Sequence, residues 1–372
     1  MAQRSYGQVS EELQENDPEL QDEESEEGYK VKEIELVPSP LPETMYGLFI
    51  ASLVRDTAEV DLHGPMKVVR MVIGFVLFVM TILLQVFLIV STKTLITPKS
   101  VKEIREIYGR YEEVMYTDSS GVAHIANTTN GYARGVDGYF FAENFEKLSE
   151  AEQESICSIP FSQRLFIFCI IWIWLIRVSA EMRGTMNLLI RFASLRSTVG
   201  TQIHNGHDMQ ENDDGSVYVD GLPRCLKAFI CIVVLVPRIC LSAWVAWMGC
   251  RWLSSTLGFN EVLMNALALA FIFELNELIF AATVPYHSKL LVSQTFIPHT
   301  ASTEPENCRT MFGLLVVNII AMVLAGLWIY GPLWMGPFSQ HVLPDYKWDV
   351  AGVCTAYLKN ALLPKHLPRH AF

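Results

Sequence analysis

The chain has 372 residues, of which 51% are hydrophobic and only 18% are charged, whereas an ordinary soluble domain is about 25% charged. Its formal net charge of −12 lies entirely in residues 1–66, where sixteen acids face four bases. This distribution excludes a nucleic-acid binder that works through a basic face. The 8 cysteines are also too few for a disulfide-rich secreted scaffold of this length.

Residues 1–66 form an acidic tail that we expect to be largely disordered, because it is rich in Glu, Ser, Gln and Pro and has few aromatic residues. Within it, the apolar stretch from Met45 to Val54 is too short to cross a bilayer, and it predicts an interfacial or docking helix. The tail has no basic n-region, so the first membrane span is expected to anchor the chain in place of a cleaved signal peptide.

Five apolar segments follow the tail, and a helix needs about 20 mostly apolar residues to cross the hydrocarbon core. The predicted spans are residues 67–92, 161–180, 228–250, 262–284 and 311–335. The second is the weakest, because its uninterrupted apolar part runs only from Leu165 to Ile176, and a buried or interfacial helix is the alternative. The sequence therefore predicts an all-α, polytopic helical transmembrane protein with about five spans, in the plasma membrane or an endomembrane.

The side on which each loop lies follows from the rule that Lys- and Arg-rich loops stay in the cytoplasm. Residues 181–227 begin as a basic amphipathic helix and continue as an acidic loop, so we expect them in the cytoplasm with the N-terminus and the connection 285–310. The loop 93–160 then lies in the lumen or outside the cell, and so does the C-terminal tail 336–372. If residues 262–284 are re-entrant, four spans remain and the tail is cytoplasmic.

Three residues have chemistry that is typical of the luminal or extracellular side of the membrane. Asn127 begins an Asn-Thr-Thr sequon, which predicts glycosylation in the loop 93–160. Cys157 and Cys354 are the two cysteines that lie clearly on the outer side. A disulfide between them is therefore expected in an oxidising compartment, and two unrelated thiols are the alternative.

The segment from His204 to Gly221 concentrates acidic and histidine side chains. When Gly215 is aligned with the glycine of a calcium-binding loop, Gly221 occupies the position that requires a bidentate glutamate, so calcium binding is not favoured. An acidic hairpin turn before the β-prone Val217 is the better interpretation. No cysteine pair has the spacing of a zinc or redox site, and we predict no metal and no cofactor.

The third and fourth spans carry three charges, Arg238, Glu274 and Glu277, in what we predict to be a charged transmembrane hairpin over residues 228–284. Arg238 and Glu274 lie equally far along the chain from the middle of the short connection, so they should lie at the same depth. Glu277 lies about one turn away on the same face. Charges within a span are costly and usually face a protein interior or water. The sequence therefore predicts an intramembrane cluster of these three residues.

Two functional hypotheses follow from this cluster. One arginine cannot neutralise two carboxylates, and proton relays and cation pathways use such groups. The first hypothesis is a cation or proton channel or transporter, which works as a homo-oligomer because five spans rarely enclose a pore. The second is a non-transport scaffold or assembly protein in which the charges only lock helix packing and the acidic tail recruits protein partners. The chain contains no H-E-x-x-H, G-x-S-x-G or Walker motif, so an enzyme is not predicted.

Overall fold

The structure of the chain is a computed structural model. It describes residues 36–58, 65–128, 131–205, 216–300, 308–330 and 342–362. These residues are mostly helical, which confirms the all-α class in its coarse form. Four helices are long and apolar enough to cross a membrane. Most of the predicted acidic tail lies outside the described residues.

The folded part begins within the predicted tail, with strand β1 (Leu36–Pro40) and helix α1 (Met45–Thr57). The side chain of Thr44 caps α1 by accepting a hydrogen bond from the Gly47 backbone N–H. Nearly every residue of α1 is buried. Its apolar side chains pack inside the protein, so the short apolar stretch is a docking helix that is enclosed by the rest of the chain.

The first membrane helix is much longer than its predicted span. Helix α2 (Pro65–Ser91), a π-helical turn (Thr92–Ile96) and helix α3 (Thr97–Met115) form one continuous rod. The turn precedes Pro98, which has no N–H to donate to the preceding turn. A helix of 49 residues is about 74 Å long, more than twice the hydrocarbon thickness. The predicted loop 93–160 therefore starts as a helix that leaves the membrane.

The other membrane helices also differ from the prediction in their bounds. They are α5 (Arg164–Ser194), α6 (Arg224–Phe229) with a π-helical turn (Ile230–Leu235) and α7 (Val236–Ser254), and α8 (Phe259–Thr283). The apolar helix α10 (Cys308–Tyr330) lies at the fifth predicted span, and within the described residues it is not one of the four helices that are long and apolar enough to cross a membrane. Helix α5 continues fourteen residues beyond the predicted end at 180. The basic stretch after 180 therefore continues helix α5 and is not a separate helix. Residues 331–335 of the fifth predicted span lie outside the described residues.

A small sheet covers one end of the helices, which we call the sheet side. Its strands are β1, β4 (Arg196–Thr198), β5 (Gln202–Asn205), β6 (Val217–Pro223) and β7 (Thr295–Thr300), and helix α9 (Tyr286–Ser293) precedes β7. The strand order is β1-β7-β6-β4, and β5 pairs with β6 in antiparallel fashion. The strands of the predicted hairpin are therefore present, and its turn lies outside the described residues.

The opposite end, which we call the disulfide side, carries a compact extramembrane domain (residues 97–163 and 342–362). Besides α3 it contains β2 (Ile125–Asn127), β3 (Ala133–Gly135), a 3-10 helix (Ala142–Lys147), α4 (Glu150–Ser158) and α11 (Val350–Leu362). A disulfide joins Cys157 of α4 to Cys354 of α11. The described part of the predicted C-terminal tail therefore belongs to a folded domain.

Candidate functional site: charged groups among the membrane helices

Five polar side chains from five helices meet among the membrane helices. We call them the polar cluster, and they are Tyr46 of α1, Gln85 of α2, Glu181 of α5, Arg238 of α7 and Asn276 of α8. They line a small cavity together with Ser242 of α7 and apolar side chains of α2, α7 and α8. The cluster forms because the N-terminal end of α1 is inserted between the longer helices.

Glu181 is the acid that neutralises Arg238. The Arg238 Nη2 donates a hydrogen bond of 2.5 Å to the Glu181 Oε1, and both side chains are largely buried. The Nη1 of Arg177 lies 3.7 Å from the other oxygen, Glu181 Oε2. The Arg238 guanidinium also lies 4.8 Å from the centre of the Tyr46 ring, a cation–π distance. The Glu181 carboxylate therefore pairs with two arginines.

Hydrogen bonds close the rest of the cluster. The Tyr46 hydroxyl donates to the Gln85 Oε1 at 3.2 Å, and the Gln85 Nε2 donates to the Ile272 carbonyl at 3.1 Å. The Met45 backbone N–H donates to the Asn276 Oδ1 at 3.0 Å. The remaining cavity has a volume of about 20 Å³, which is room for roughly one water molecule. The cluster therefore ties helices together and leaves no room for a larger guest.

The structure gives Arg238 a different partner from the predicted one. Glu274 and Glu277 are exposed on α8, whereas Asn276 of the same helix faces the polar cluster and is buried. Asn276 and Glu274 are about 200° apart on the helical wheel, so both cannot face the same neighbour. The sequence does carry a signal for the observed pair, because Arg177 and Glu181 are four residues apart and lie on one side of a helix.

Glu274 and Glu277 belong instead to what we call the α8 outer face, which also includes Leu267, Phe271 and Leu278. These three apolar side chains are 67%, 45% and 52% exposed. Among the residues that the structure describes, neither glutamate has a hydrogen-bond or ion-pair partner. The structure thus leaves two carboxylates on the outside of a membrane helix.

The extramembrane domain has a buried ion pair of its own. The Arg134 Nη1 of β3 donates to the Glu112 Oε2 of α3 at 2.9 Å, and both side chains are at most 5% exposed. The same guanidinium donates twice to the Pro344 carbonyl at 2.9 Å. Arg134 therefore connects the long helix with the segment that leads into α11.

Asp349 lies in the aromatic core of this domain, where it accepts hydrogen bonds from the hydroxyls of Tyr108 and Tyr116 at 3.0 and 3.2 Å. Burial raises the pKa of the Asp349 carboxyl above its ordinary value, although the tyrosine hydrogen bonds oppose this shift.

We therefore expect the extramembrane domain to become more stable as the pH falls from neutral towards 5. A carboxyl with a raised pKa in the folded state contributes stability that is fully present below its unfolded pKa and is lost as the pH rises through its folded pKa. The melting temperature of the purified protein, followed by near-ultraviolet circular dichroism between pH 5 and 8, measures this. Burial also raises the pKa of the nearby Glu112 carboxyl to about 7, although Arg134 opposes this shift. The Asp349→Asn variant should therefore lose part of the dependence and keep the part that Glu112 contributes, and an unchanged pH profile in that variant would contradict the assignment to Asp349.

The remaining predicted site residue, Asn127, is exposed in strand β2. Its sequon ends at Thr129, which lies outside the described residues, so glycosylation stays a prediction. Within the described ranges, no group of three or more His, Cys, Asp or Glu side chains is placed to hold a metal ion.

Comparisons with protein-family models, with curated proteins and with solved structures gave no match to this chain.

Proposed function

We propose that this multi-pass membrane protein is a non-transporting scaffold or assembly subunit. The observation that carries the proposal is the narrow polar cluster, in which Glu181 neutralises Arg238 and the cavity of about 20 Å³ has room for roughly one water. A cation pathway needs a route wide enough for ions and binding groups that release them. Charges that are paired and enclosed instead fix how the helices pack against one another.

The extramembrane domain supports the same proposal. It projects from the membrane on the rigid extension of α3, and the disulfide and the Arg134–Glu112 pair hold it together. A rigid domain of this kind loses little conformational entropy when it binds another protein. The disulfide also favours an oxidising compartment on that side. We accordingly place the sheet side, with the basic end of α5, in the cytoplasm.

Cation or proton transport is the second candidate, and a specific observation favours it. Glu274 and Glu277 lie one turn apart on the α8 outer face and are exposed. Two close carboxylates in a medium of low dielectric constant attract a cation. A pathway built on them would lie between copies of the chain, because neither glutamate lines the polar cluster.

A flux assay separates the two candidates. We expect liposomes that contain the purified wild-type protein to show no proton or potassium flux above protein-free liposomes, at both pH 5.5 and pH 7.5. Ion-sensitive dyes trapped inside the liposomes measure this directly. A cation or proton flux in the wild type that disappears in Glu274→Gln, but persists in the matched Glu261→Gln variant at the end of the same helix, would reject the scaffold proposal in favour of transport.

A further inference from the structure

The two glutamates of the α8 outer face lie deep within the membrane part of the protein. The Gln85 Nε2 donates to the Ile272 carbonyl, so these residues of α2 and α8 lie at the same depth in the membrane. Along α2, Gln85 is about 22 Å from Arg70 and about 12 Å from Lys93, the two charged residues that bound its uncharged part. Glu274, two residues beyond Ile272 on α8, lies about 3 Å from this level.

The side chains of Glu274 and Glu277 point away from the rest of the protein. Glu274 lies on the same side of α8 as Leu267, Phe271 and Leu278, because these positions are within about 60° of it on the helical wheel. All three are strongly exposed, so this side of α8 faces lipid or another protein. Glu277 flanks the same side, one turn nearer the sheet side.

Hydrocarbon is a poor environment for these two side chains. An ionisable group at the centre of a membrane span is costly and is almost always turned inward or paired. The described part of the chain provides no cation for Glu274 or Glu277, since Arg238 and Arg177 are both bound to Glu181. The outer face is therefore a pair of uncompensated carboxylates surrounded by apolar side chains.

The charge of the face distinguishes between the partners that could cover it. A second copy that packed through the same face would bring four carboxylates together, which raises the cost. A membrane helix with a Lys or Arg at mid-depth would supply the missing charge, and its apolar neighbours would pack against Leu267, Phe271 and Leu278. A charge-assisted hydrogen bond of this kind is roughly twice as strong as a neutral one.

We propose that the α8 outer face binds a transmembrane helix of another protein that carries a Lys or Arg at mid-membrane depth, opposite Glu274 and Glu277. This inference rests on the proposed assembly function and names the chemistry of the partner. The face is available because α8 uses its opposite side, with Asn276, to bind α1.

The test uses a synthetic helix as the probe, because the partner is unidentified. The full chain, fused at its N-terminus to a fluorescent donor protein, is reconstituted in phosphatidylcholine liposomes with an acceptor-labelled polyleucine helix of about 23 residues that has one central Lys. The comparison helix has Leu at that position. We expect energy transfer with the Lys helix and only the random background with the Leu helix.

Variants of the chain then locate the binding face. The double variant Glu274→Gln/Glu277→Gln should weaken binding of the Lys helix by about tenfold or more, and it should fold normally because both residues are exposed. Glu261→Gln, at the exposed start of α8, should bind like the wild type.

Equal binding of the Lys and Leu helices, or undiminished binding by the double variant, would overturn the inference. So would self-association of the wild type that the double variant loses, because the occupant would then be a second copy. The flux assay tests the proposed assembly function independently of this binding test. A chain that conducts no ions and also ignores the Lys helix leaves the assembly function intact and removes only this partner.

Discussion

Replacing Cys157 or Cys354 by serine is expected to loosen the extramembrane domain more than serine substitution of a free cysteine. The bond joins α4 to α11 across 197 residues of chain, and both cysteines are at most 1% exposed. A disulfide that closes a long loop restricts the unfolded chain strongly, and its loss typically costs about 2–5 kcal/mol. Helix α11 otherwise packs through apolar side chains such as Val350 and Tyr357, so it should open more readily once the bond is lost.

Hydrogen exchange of the α11 peptide, measured by mass spectrometry in detergent, tests this expectation. Either single variant should exchange about 30-fold faster or more, and the double variant should be no worse than a single one because the same bond is lost. Treatment of the wild type with a reductant should give the same result. Cys225→Ser, at an exposed free cysteine, is the matched control. Unchanged exchange of α11 in Cys354→Ser would show that packing alone holds this helix.

The membrane helices and the disulfide could be predicted from the sequence. The helices depend on local hydropathy, and the disulfide follows from counting how many spans separate the two cysteines. Hydropathy over about 20 residues identifies a span without any knowledge of its neighbours. The cysteine pair followed from sidedness, since four of the five predicted spans lie between Cys157 and Cys354, and an even number of crossings puts both on one side. The structure joins these two cysteines.

The sheet and the partner of Arg238 could not be predicted in this way, because each depends on contacts between distant parts of the chain. Strand β1 pairs with β7 with Leu36 opposite Thr300, and no local pattern indicates such a pairing. The rotation of α8 is fixed by the bond from the Met45 N–H to Asn276, which turns Glu274 outward. Counting residues from the loop compares depth, but it does not determine the direction in which a side chain points.

The final prediction concerns the ion pair that replaces the predicted one. Removing Glu181 should be the most destabilising single change among the membrane helices, because it leaves both Arg238 and Arg177 without their acid. Breaking a buried ion pair by removing one partner costs about 3–5 kcal/mol, since a charge is left buried and unpaired. Removing Arg238 should cost less than removing Glu181, because the Glu181 carboxylate keeps Arg177 at 3.7 Å.

A double-mutant cycle measures this asymmetry. Thermal unfolding in detergent should give the order Glu181→Leu, then Arg238→Met, then wild type, from least to most stable. The double variant should be more stable than Glu181→Leu alone, because the buried Arg238 charge is then gone and only Arg177, whose side chain is 35% exposed, lacks its acid. Lys102 and Glu106 form a matched control pair that is 79% and 64% exposed, and Glu106→Leu should change stability by less than about 1 kcal/mol. If Arg238→Met proved as damaging as Glu181→Leu, or if the two changes were simply additive, Arg177 would not share the carboxylate and the cluster would not act as one unit.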